Sequence, residues 1–306
     1  MKSGVLCFYK PAGMTSHDAV NIIRRLYGTR SVGHTGTLDP DACGVLVVMV
    51  GRAVKAAEFL GSAEKEYTAL MRLGLRTDTQ DTGGRVTYTH DGALPGENEV
   101  MRVCASFKGE GTQIPPMYSA IKIGGRKLVD LARKNIDIER APRPVHIYSL
   151  DVQRQSEGDY LLHARVSAGT YIRTLCADIG DALGCGGAMA YLERTSCGGA
   201  FTKENSHTRE ELEALDTAAR EELLMPTEEL FSDWTCVKLP PFFERLARCG
   251  AEIYLKKIGV RLALGERVRL YGEDGFFAVG EVREFPDGCA IKPLKQLVLR
   301  GTGGEE

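Results

Sequence analysis

The most distinctive stretch of this sequence is GHTGTLDPDACGVL, residues 33–46, which continues into an apolar segment that ends at residue 50. Residues 45–50 read as a buried strand. Pro40 fixes its own φ and drives Asp39 towards extended geometry, so the Asp39 carboxylate is held on a stiff loop. Such a loop suits a reacting carboxylate, but Asp-Pro is also common as a helix N-cap followed by proline. The residues alone leave both interpretations open.

Length and composition indicate an ordinary globular chain. Its 306 residues are enough for about two domains, and 43% of them are hydrophobic and 26% charged. The apolar segment 5–9 is interrupted by Lys10-Pro11, which makes it too short for a signal peptide, and no run approaches a membrane span. The nine cysteines include no C-x-x-C pair, which argues against a zinc site and a disulfide framework. We therefore expect no metal and a reducing, cytoplasmic location.

Charge is unevenly distributed along the chain. Residues 1–196 carry 24 basic and 21 acidic side chains, whereas residues 197–250 carry six and eleven. A basic first part joined to an acidic connector fits a body that faces RNA, although charge runs are most often solvated faces.

Hydrophobic periodicity predicts mixed helices and strands without a regular β-α repeat. Strands are expected at 4–9, 64–73, 145–153, 160–166 and 188–196. Helices are expected at 16–27, with Ser16 as N-cap, and at 52–60, 97–107, 127–134 and 209–224. This pattern predicts an α+β domain with a large, mixed, mostly antiparallel sheet.

The character of the sequence changes near residue 237. Short alternating strands at 267–271 and 276–282 are separated by Gly-Glu-Asp-Gly and Pro-Asp-Gly turns, the pattern of a small β-barrel. We therefore expect a boundary between residues 230 and 240, with domains at 1–235 and 236–306.

Six motifs, in this order along the chain, resemble those of the TruB family of bacterial tRNA pseudouridine(55) synthases. They are Lys10-Pro11, residues 33–46, Lys65-x-Tyr67, Gln113-x-Pro-Pro-x-Tyr118-Ser-Ala-x-Lys122, Gly169-Thr-Tyr-Ile-Arg173 and Tyr191-Leu192. The resemblance implies a pseudouridine synthase catalytic domain followed by a PUA-like RNA-binding barrel. It also implies isomerisation of uridine 55 in the TΨC loop of tRNA, without a cofactor, by a monomeric enzyme.

The resemblance also implies roles for single residues. Asp39 matches the catalytic aspartate, Arg173 the arginine that pairs with it, and Tyr67 the tyrosine that stacks under the flipped uracil. From residue type alone, Tyr67 would more often be a core residue of a strand, and Arg173 a solvated helix charge.

A second set of residues is expected to bind the substrate. Leu192 and Tyr171 match walls of the uracil pocket, His34 matches a histidine that packs into the RNA where the base leaves, and Lys10 and Gly33 complete the set. Asp41 is expected to lie at the surface. Five basic residues near the central motif are expected to contact phosphates: Arg24, Arg25, Arg30, Arg52 and Lys55.

The sequence departs from the family at Glu193, where a basic residue is common, and at Val54, where threonine is expected. Both departures concern peripheral RNA contacts. Ser119-Ala-Ile-Lys122 also fits the S-x-x-K pattern of serine acylases, but neither S-D-N nor K-T-G accompanies it. Two alternatives remain: a non-catalytic RNA-binding or RNA-folding module, and the same chemistry on another RNA, for which long basic tails would be expected.

Overall fold

The computed structural model describes residues 2–61, 63–119, 121–134 and 136–299. Within these residues the chain forms a nine-stranded sheet, a five-stranded sheet and two short hairpins. None of the described helices is long and apolar enough to cross a membrane.

The strands of the first two thirds of the chain are β1 (Gly4–Lys10), β2 (Val32–Thr35), β3 (Cys43–Val50), β4 (Lys65–Leu73), β5 (Leu75–Thr77), β6 (Val86–Thr89), β7 (Gly109–Gln113), β8 (Lys122–Ile123), β9 (Arg126–Lys127), β10 (Arg143–Arg154), β11 (Asp159–Val166), β12 (Gly187–Cys197) and β13 (Phe201–Thr202). The remaining strands are β14 (Thr235–Lys238), β15 (Ile253–Tyr254), β16 (Arg267–Gly272), β17 (Gly275–Phe285) and β18 (Gly288–Gln296).

The helices are α1 (Ser16–Leu26), α2 (Ala57–Leu60), α3 (Glu97–Ser106), α4 (Leu128–Ala132), α5 (Ile172–Ala182), α6 (Arg209–Ala214), α7 (Thr217–Glu222), α8 (Pro241–Arg248) and α9 (Leu255–Ile258). Short 3-10 helices lie at Gly51–Ala56, Lys203–Asn205 and Thr227–Phe231.

The large sheet has the order β1-β3-β12-β4-β11-β10-β7, with β2 on β3 and β13 on β12. Its neighbouring strands pair antiparallel, except that β12 pairs parallel with β3 over two residue pairs. The predicted α+β class with a mixed, mostly antiparallel sheet is therefore confirmed.

β3 is buried along its whole length, as its apolar run predicts. Its even-numbered side chains pack with Val20 and Ile23 of α1, and its odd-numbered ones pack with Val5 and Phe201. Both faces of this strand are covered, which is why its sequence does not alternate. β4 alternates, because it buries one face only, against α5. Residues 36–42 form the loop that joins β2 to β3.

Three helix predictions need correction. Thr15, not Ser16, caps α1, because its hydroxyl accepts from the Asp18 N–H and the Asp18 carboxylate accepts from the Thr15 N–H. The Ser16 hydroxyl instead donates to the Leu38 carbonyl at 3.0 Å and accepts from the Leu38 N–H at 2.9 Å. Helix α1 is thereby fixed to the loop that carries Asp39.

The predicted acidic helix 209–224 is two short helices, α6 and α7. Asp216 starts the second one by accepting from the Ala219 N–H at 2.8 Å, and the Arg220 guanidinium donates to the Leu215 carbonyl. The predicted helix 52–60 is likewise a 3-10 helix followed by the four-residue α2. In both segments local hydrogen bonds replace a continuous helical ladder.

The tail forms the five-stranded sheet β14-β16-β17-β18-β15, a curled half-barrel, together with α8 and α9, which the sequence interpretation missed. Phe231, Phe276 and Leu297 pack with Ala56 and Phe59 where this sheet meets the first part of the chain. The division after residue 235 falls one residue inside β14 and stays a proposal.

Candidate active site

A cavity of about 260 Å³ opens beside the stretch that the sequence singled out. Five of the eight predicted site residues line it: Asp39, Tyr67, Tyr171, Arg173 and Leu192. Its other lining residues are Gly36, Thr37, Leu38, Gly61, Lys65, Tyr118, Ser119, Gly169, Thr170, Ile172 and Arg194. Residues far apart in sequence are thus brought to one wall by β4, β12 and the start of α5.

Asp39 lies in the loop between β2 and β3 and is half-buried. The loop is closed by a hydrogen bond from the Ala42 N–H to the Asp39 carbonyl, and the Gly13 N–H donates to the Pro40 carbonyl at 2.9 Å. Burial raises the pKa of the Asp39 carboxyl above its ordinary value; Arg173 opposes this rise and Asp81 adds to it. The loop therefore holds the carboxylate at the cavity wall in a partly desolvated position.

Arg173 is the partner of this carboxylate. It lies in the first turn of α5 and is 4% exposed. Its Nε is 2.9 Å from Asp39 Oδ2, and its Nη2 donates to Asp39 Oδ1 at 3.3 Å, so both carboxylate oxygens are held. The guanidinium also donates to the carbonyls of Thr79, at 3.0 Å, and Tyr118, at 2.9 Å.

Asp81 is a member of this network that the sequence interpretation missed. Its Oδ2 is 3.7 Å from Arg173 Nη1, while its Oδ1 accepts from the Thr79 hydroxyl and the Gly83 N–H. In the sequence, the segment 77–84 reads only as a polar loop. Its two aspartates are the only feature that indicates a charge partner for Arg173. The loop supplies both a carboxylate and a carbonyl to the arginine.

Tyr67 faces the cavity from β4 and is 8% exposed. Burial raises the pKa of its hydroxyl, and the positive charge of the Arg194 guanidinium opposes the rise. Leu192 is buried on β12 and lines the same space. An aromatic ring and an aliphatic wall beside a carboxylate form a site that can hold a flat base.

Tyr171 is placed by the Gln113 amide. Gln113 accepts from the Tyr171 N–H at 2.9 Å and donates to the Tyr171 carbonyl at 3.2 Å, as a neighbouring strand would. Gln113 is buried at the end of the edge strand β7. The motif that begins with Gln113 therefore supports the loop that leads into Arg173.

Lys10 lies behind the loop that carries Asp39 rather than in the cavity. Its side chain is fully buried, at 0% exposure, and its Nζ donates to the carbonyls of Pro11, Met14 and Pro40 at 2.7–3.2 Å. Burial lowers the pKa of its ammonium to about 8. A substrate contact would require Lys10 to leave these carbonyls, so we place it in support of the loop.

His34 and Gly33 lie on β2, which pairs with β3, and neither lines the cavity. His34 is half-buried, and burial lowers the pKa of its imidazole. Among the described residues, its Nδ1 has no hydrogen-bond partner. The contact of His34 with RNA stays a prediction.

The two residues at which the sequence departs from the family pattern, Glu193 and Val54, do not line the cavity. Glu193 is buried, accepts from the Tyr9 hydroxyl at 2.8 Å and pairs with Lys203 at 2.7 Å. Val54 packs against the core beneath β1 and β3. Asp41 is exposed, as expected.

The S-x-x-K pattern does not form a serine–lysine pair. Ser119 is buried in the cavity wall and Lys122 is exposed on the short hairpin strand β8.

Solved structures share this fold over nearly the whole chain. A chain of a Cbf5-Nop10-Gar1 complex superposes with a TM-score of 0.73 and 28% identity, covering 97% of this chain and 85% of that one. A chain of an H/ACA RNP bound to a substrate RNA containing 2'-deoxyuridine gives 0.70 and 25%, covering 97% and 86%. The sheet and the paired aspartate and arginine in its cavity define the class, the pseudouridine synthase fold.

Sequence comparison then specifies the family. Residues 24–172 match the TruB family pseudouridylate synthase N-terminal domain, and residues 173–232 match the tRNA pseudouridylate synthase B C-terminal domain. The tRNA pseudouridine synthase B of Clostridium tetani is 41% identical over 279 residues, 91% of this chain and 95% of that protein. That of Alkaliphilus oremlandii is 39% identical over 283 residues, 92% and 93%. The chain belongs to the TruB family, as the motifs predict.

Proposed function

We propose that this protein converts uridine 55 in the T-arm of tRNA to pseudouridine. The observation that carries the proposal is the Asp39 carboxylate, both oxygens of which contact the Arg173 guanidinium. Asp39 lies at the wall of a cavity that Tyr67 and Leu192 also line. Relatives named tRNA pseudouridine synthase B match more than nine tenths of the chain. Their shared name supports the same reaction here.

The reaction rearranges one nucleotide. The bond between uracil N1 and ribose C1′ breaks, the base rotates, and a bond forms between C5 and C1′. C5 then loses its proton and N1 gains one, so substrate and product have the same composition. Asp39 can serve either as a nucleophile at the sugar or as a base that removes a sugar proton. In both roles the carboxylate has to be ionised, and Arg173 favours the ionised form.

The target base has to leave the RNA stack before it can enter the cavity. Extrusion of a stacked base costs a few kcal/mol, which contacts within the pocket have to offset. The Tyr67 ring and the Leu192 side chain offer apolar surface to the extruded base. We assign the base to the space between these side chains and Asp39.

A tritium-release assay tests this function. A T-arm stem-loop RNA labelled with tritium at C5 of uridine should lose about one label per molecule, since C5 loses its hydrogen only when it bonds to the sugar. RNA that binds with unchanged label would favour the rival interpretation, a non-catalytic RNA-binding module.

Salt dependence should reveal which arginines contact phosphates. Arg25 and Arg30 are exposed, whereas the Arg24 guanidinium donates to Asn21 and to the Val32 carbonyl. Log affinity should fall linearly with log salt, and Arg25→Gln or Arg30→Gln should each reduce the slope by about one. Filter binding at several salt concentrations measures this, with Arg24→Gln as the neighbouring control, for which a smaller change is expected. An unchanged slope in every variant would remove these residues from the interface.

The other two residues predicted to contact phosphate, Lys55 and Arg52, differ in whether the side chain already contacts another part of the protein. Lys55 is exposed and remains a proposal. Arg52 donates to the Gln296 carbonyl at 3.0 Å and thereby joins the first part of the chain to the tail, so we no longer assign it to phosphate.

The tail should contribute affinity rather than chemistry. A chain that ends after Asp233 should keep its single-turnover rate at saturating RNA and bind T-arm RNA more weakly, since none of the described residues that line the cavity lies beyond that point. The melting temperature should fall, because removal of the tail uncovers Phe231 and Phe59. Single-turnover kinetics and filter binding separate the two effects. Loss of turnover in a truncated chain that is folded would contradict this division, and with it the PUA-like role of the tail.

We also propose that the protein acts as a monomer in the cytoplasm. All nine cysteines are free and six of them are buried, which suits a reducing compartment.

A further inference from the structure

Arg194 has the largest fully buried side chain among the described residues, at 1% exposure. It lies on β12 two residues after Leu192, so the two side chains share one face of the strand. It lines the same cavity as Asp39 and Tyr67. The reaction described above gives this arginine no role.

The guanidinium of Arg194 holds the catalytic loop at both of its ends. Its Nη2 donates to the Gly36 carbonyl at 2.8 Å, three residues before Asp39, and its Nε donates to the Val45 carbonyl at 2.7 Å, six residues after it. The donors of a guanidinium form a rigid planar fork. The two carbonyls are therefore kept at a fixed separation, with Asp39 in the loop between them.

Glycines permit this close approach. Gly44 has a φ of 106°, and a Cβ built there would lie 2.2 Å from the Arg194 carbonyl oxygen. Gly36 has a φ of 68°, and its Cβ would lie 3.2 Å from Arg194 Nη1. Two of the three glycines in residues 33–46 are thus required where the loop meets Arg194.

Arg194 also lies beside the aromatic wall of the cavity. It is directly opposite Tyr67 in the β12–β4 register, and both side chains line the cavity. Within the described part of the chain, no carboxylate lies within ion-pair distance of Arg194. Burial of a cation without a carboxylate partner costs folding free energy. An apolar residue of similar size at such a position often leaves the protein equally stable. Stability alone therefore does not explain an arginine here.

We propose that Arg194 is a positioning residue that fixes the Asp39 loop beside Tyr67, its partner in the β12–β4 register. Its two carbonyl contacts set the loop, and its place on β12 sets the position of the loop relative to the Tyr67 ring. This inference rests on the proposed pseudouridine synthase function. It assigns Arg194 no contact with the RNA.

Single-turnover kinetics on T-arm RNA test the proposal. Arg194→Lys keeps the charge but offers one ammonium in place of the fork, so the rate should fall by about tenfold or more, while the Kd for RNA changes less than about threefold. In the Asp39→Asn background, Arg194→Lys should cause a smaller further loss of rate than in the wild type, because Arg194 acts through the loop that carries Asp39.

Arg72→Lys is the matched control. Arg72 is also an arginine of the central strands, but it lies on the exposed face of β4 and pairs with Asp159 at 2.8 Å. Its substitution should leave the rate within about twofold of wild type.

Folded Arg194→Lys protein with a wild-type rate would overturn the proposal, and so would a loss that multiplies fully with that of Asp39→Asn. Where Arg194→Lys does not fold, a wild-type rate in folded Arg194→Gln protein would overturn it, since a single amide nitrogen then replaces the fork. Each of these results presupposes active wild-type protein. Inactive wild-type protein would instead reject the proposed function.

Discussion

Asp39→Asn is expected to lower the single-turnover rate of pseudouridine formation by at least about 10³-fold. The substitution keeps the shape of the side chain but removes the charge and the nucleophilic or basic oxygen. It also leaves Arg173, buried at 4% exposure, with the carboxylate of Asp81 as its nearest remaining charge partner.

RNA affinity should stay within about threefold in the same variant, because many phosphate contacts share the binding free energy. Filter binding and single-turnover assays on unmodified tRNA transcript measure the two quantities separately.

Asp41→Asn is the matched control for this experiment. Asp41 lies two residues further along the same loop but is exposed. The control should retain the wild-type rate, so that a general effect of lost negative charge is separated from lost chemistry. Near-normal turnover by folded Asp39→Asn protein would falsify the catalytic assignment and favour a non-catalytic RNA-binding module.

Arg173→Lys should have the second largest effect, a rate lower by roughly 10²-fold. The guanidinium holds both oxygens of Asp39, at 2.9 and 3.3 Å, and at the same time donates to the carbonyls of Thr79 and Tyr118. An ammonium cannot reproduce this planar set of contacts, so the carboxylate loses its orientation and part of its preference for the ionised form.

A double-mutant cycle tests whether Arg173 acts through Asp39. In the Asp39→Asn background, Arg173→Lys should add less than about threefold, because residues that act as one unit are not additive. Arg165→Lys serves as the control, since Arg165 pairs with Glu64 at 2.8 Å on the exposed face of the sheet. Full multiplication of the Asp39 and Arg173 losses would assign Arg173 a role independent of the carboxylate.

The parts of the fold that the sequence predicts are those in which a local pattern decides the outcome. The apolar run of β3 requires two covered faces. Pro40 stiffens the loop before β3, while Gly36 and Gly44 allow its positive φ angles, so both features follow from a few residues. The pairing of Asp39 with Arg173 came only from the family resemblance. It spans 134 residues of sequence, and no periodicity relates its two members.

The features that the sequence did not reveal depend on contacts between distant segments. A lysine before a proline suggests a surface turn, yet Lys10 is buried because three carbonyls converge on its ammonium. Arg194 reads as an ordinary strand residue until β12 meets the carbonyls of Gly36 and Val45. Asp81 enters the site because its loop closes over α5. Each of these placements follows from tertiary packing, on which local propensity has no influence.

The most direct test of the whole proposal is to map pseudouridine along an unmodified tRNA transcript after incubation with the protein. We expect one pseudouridine, at position 55, with wild-type protein and none with Asp39→Asn. Wild-type protein that binds the transcript and leaves every uridine unchanged would contradict the catalytic assignment, and pseudouridine only at other positions would contradict the T-arm assignment.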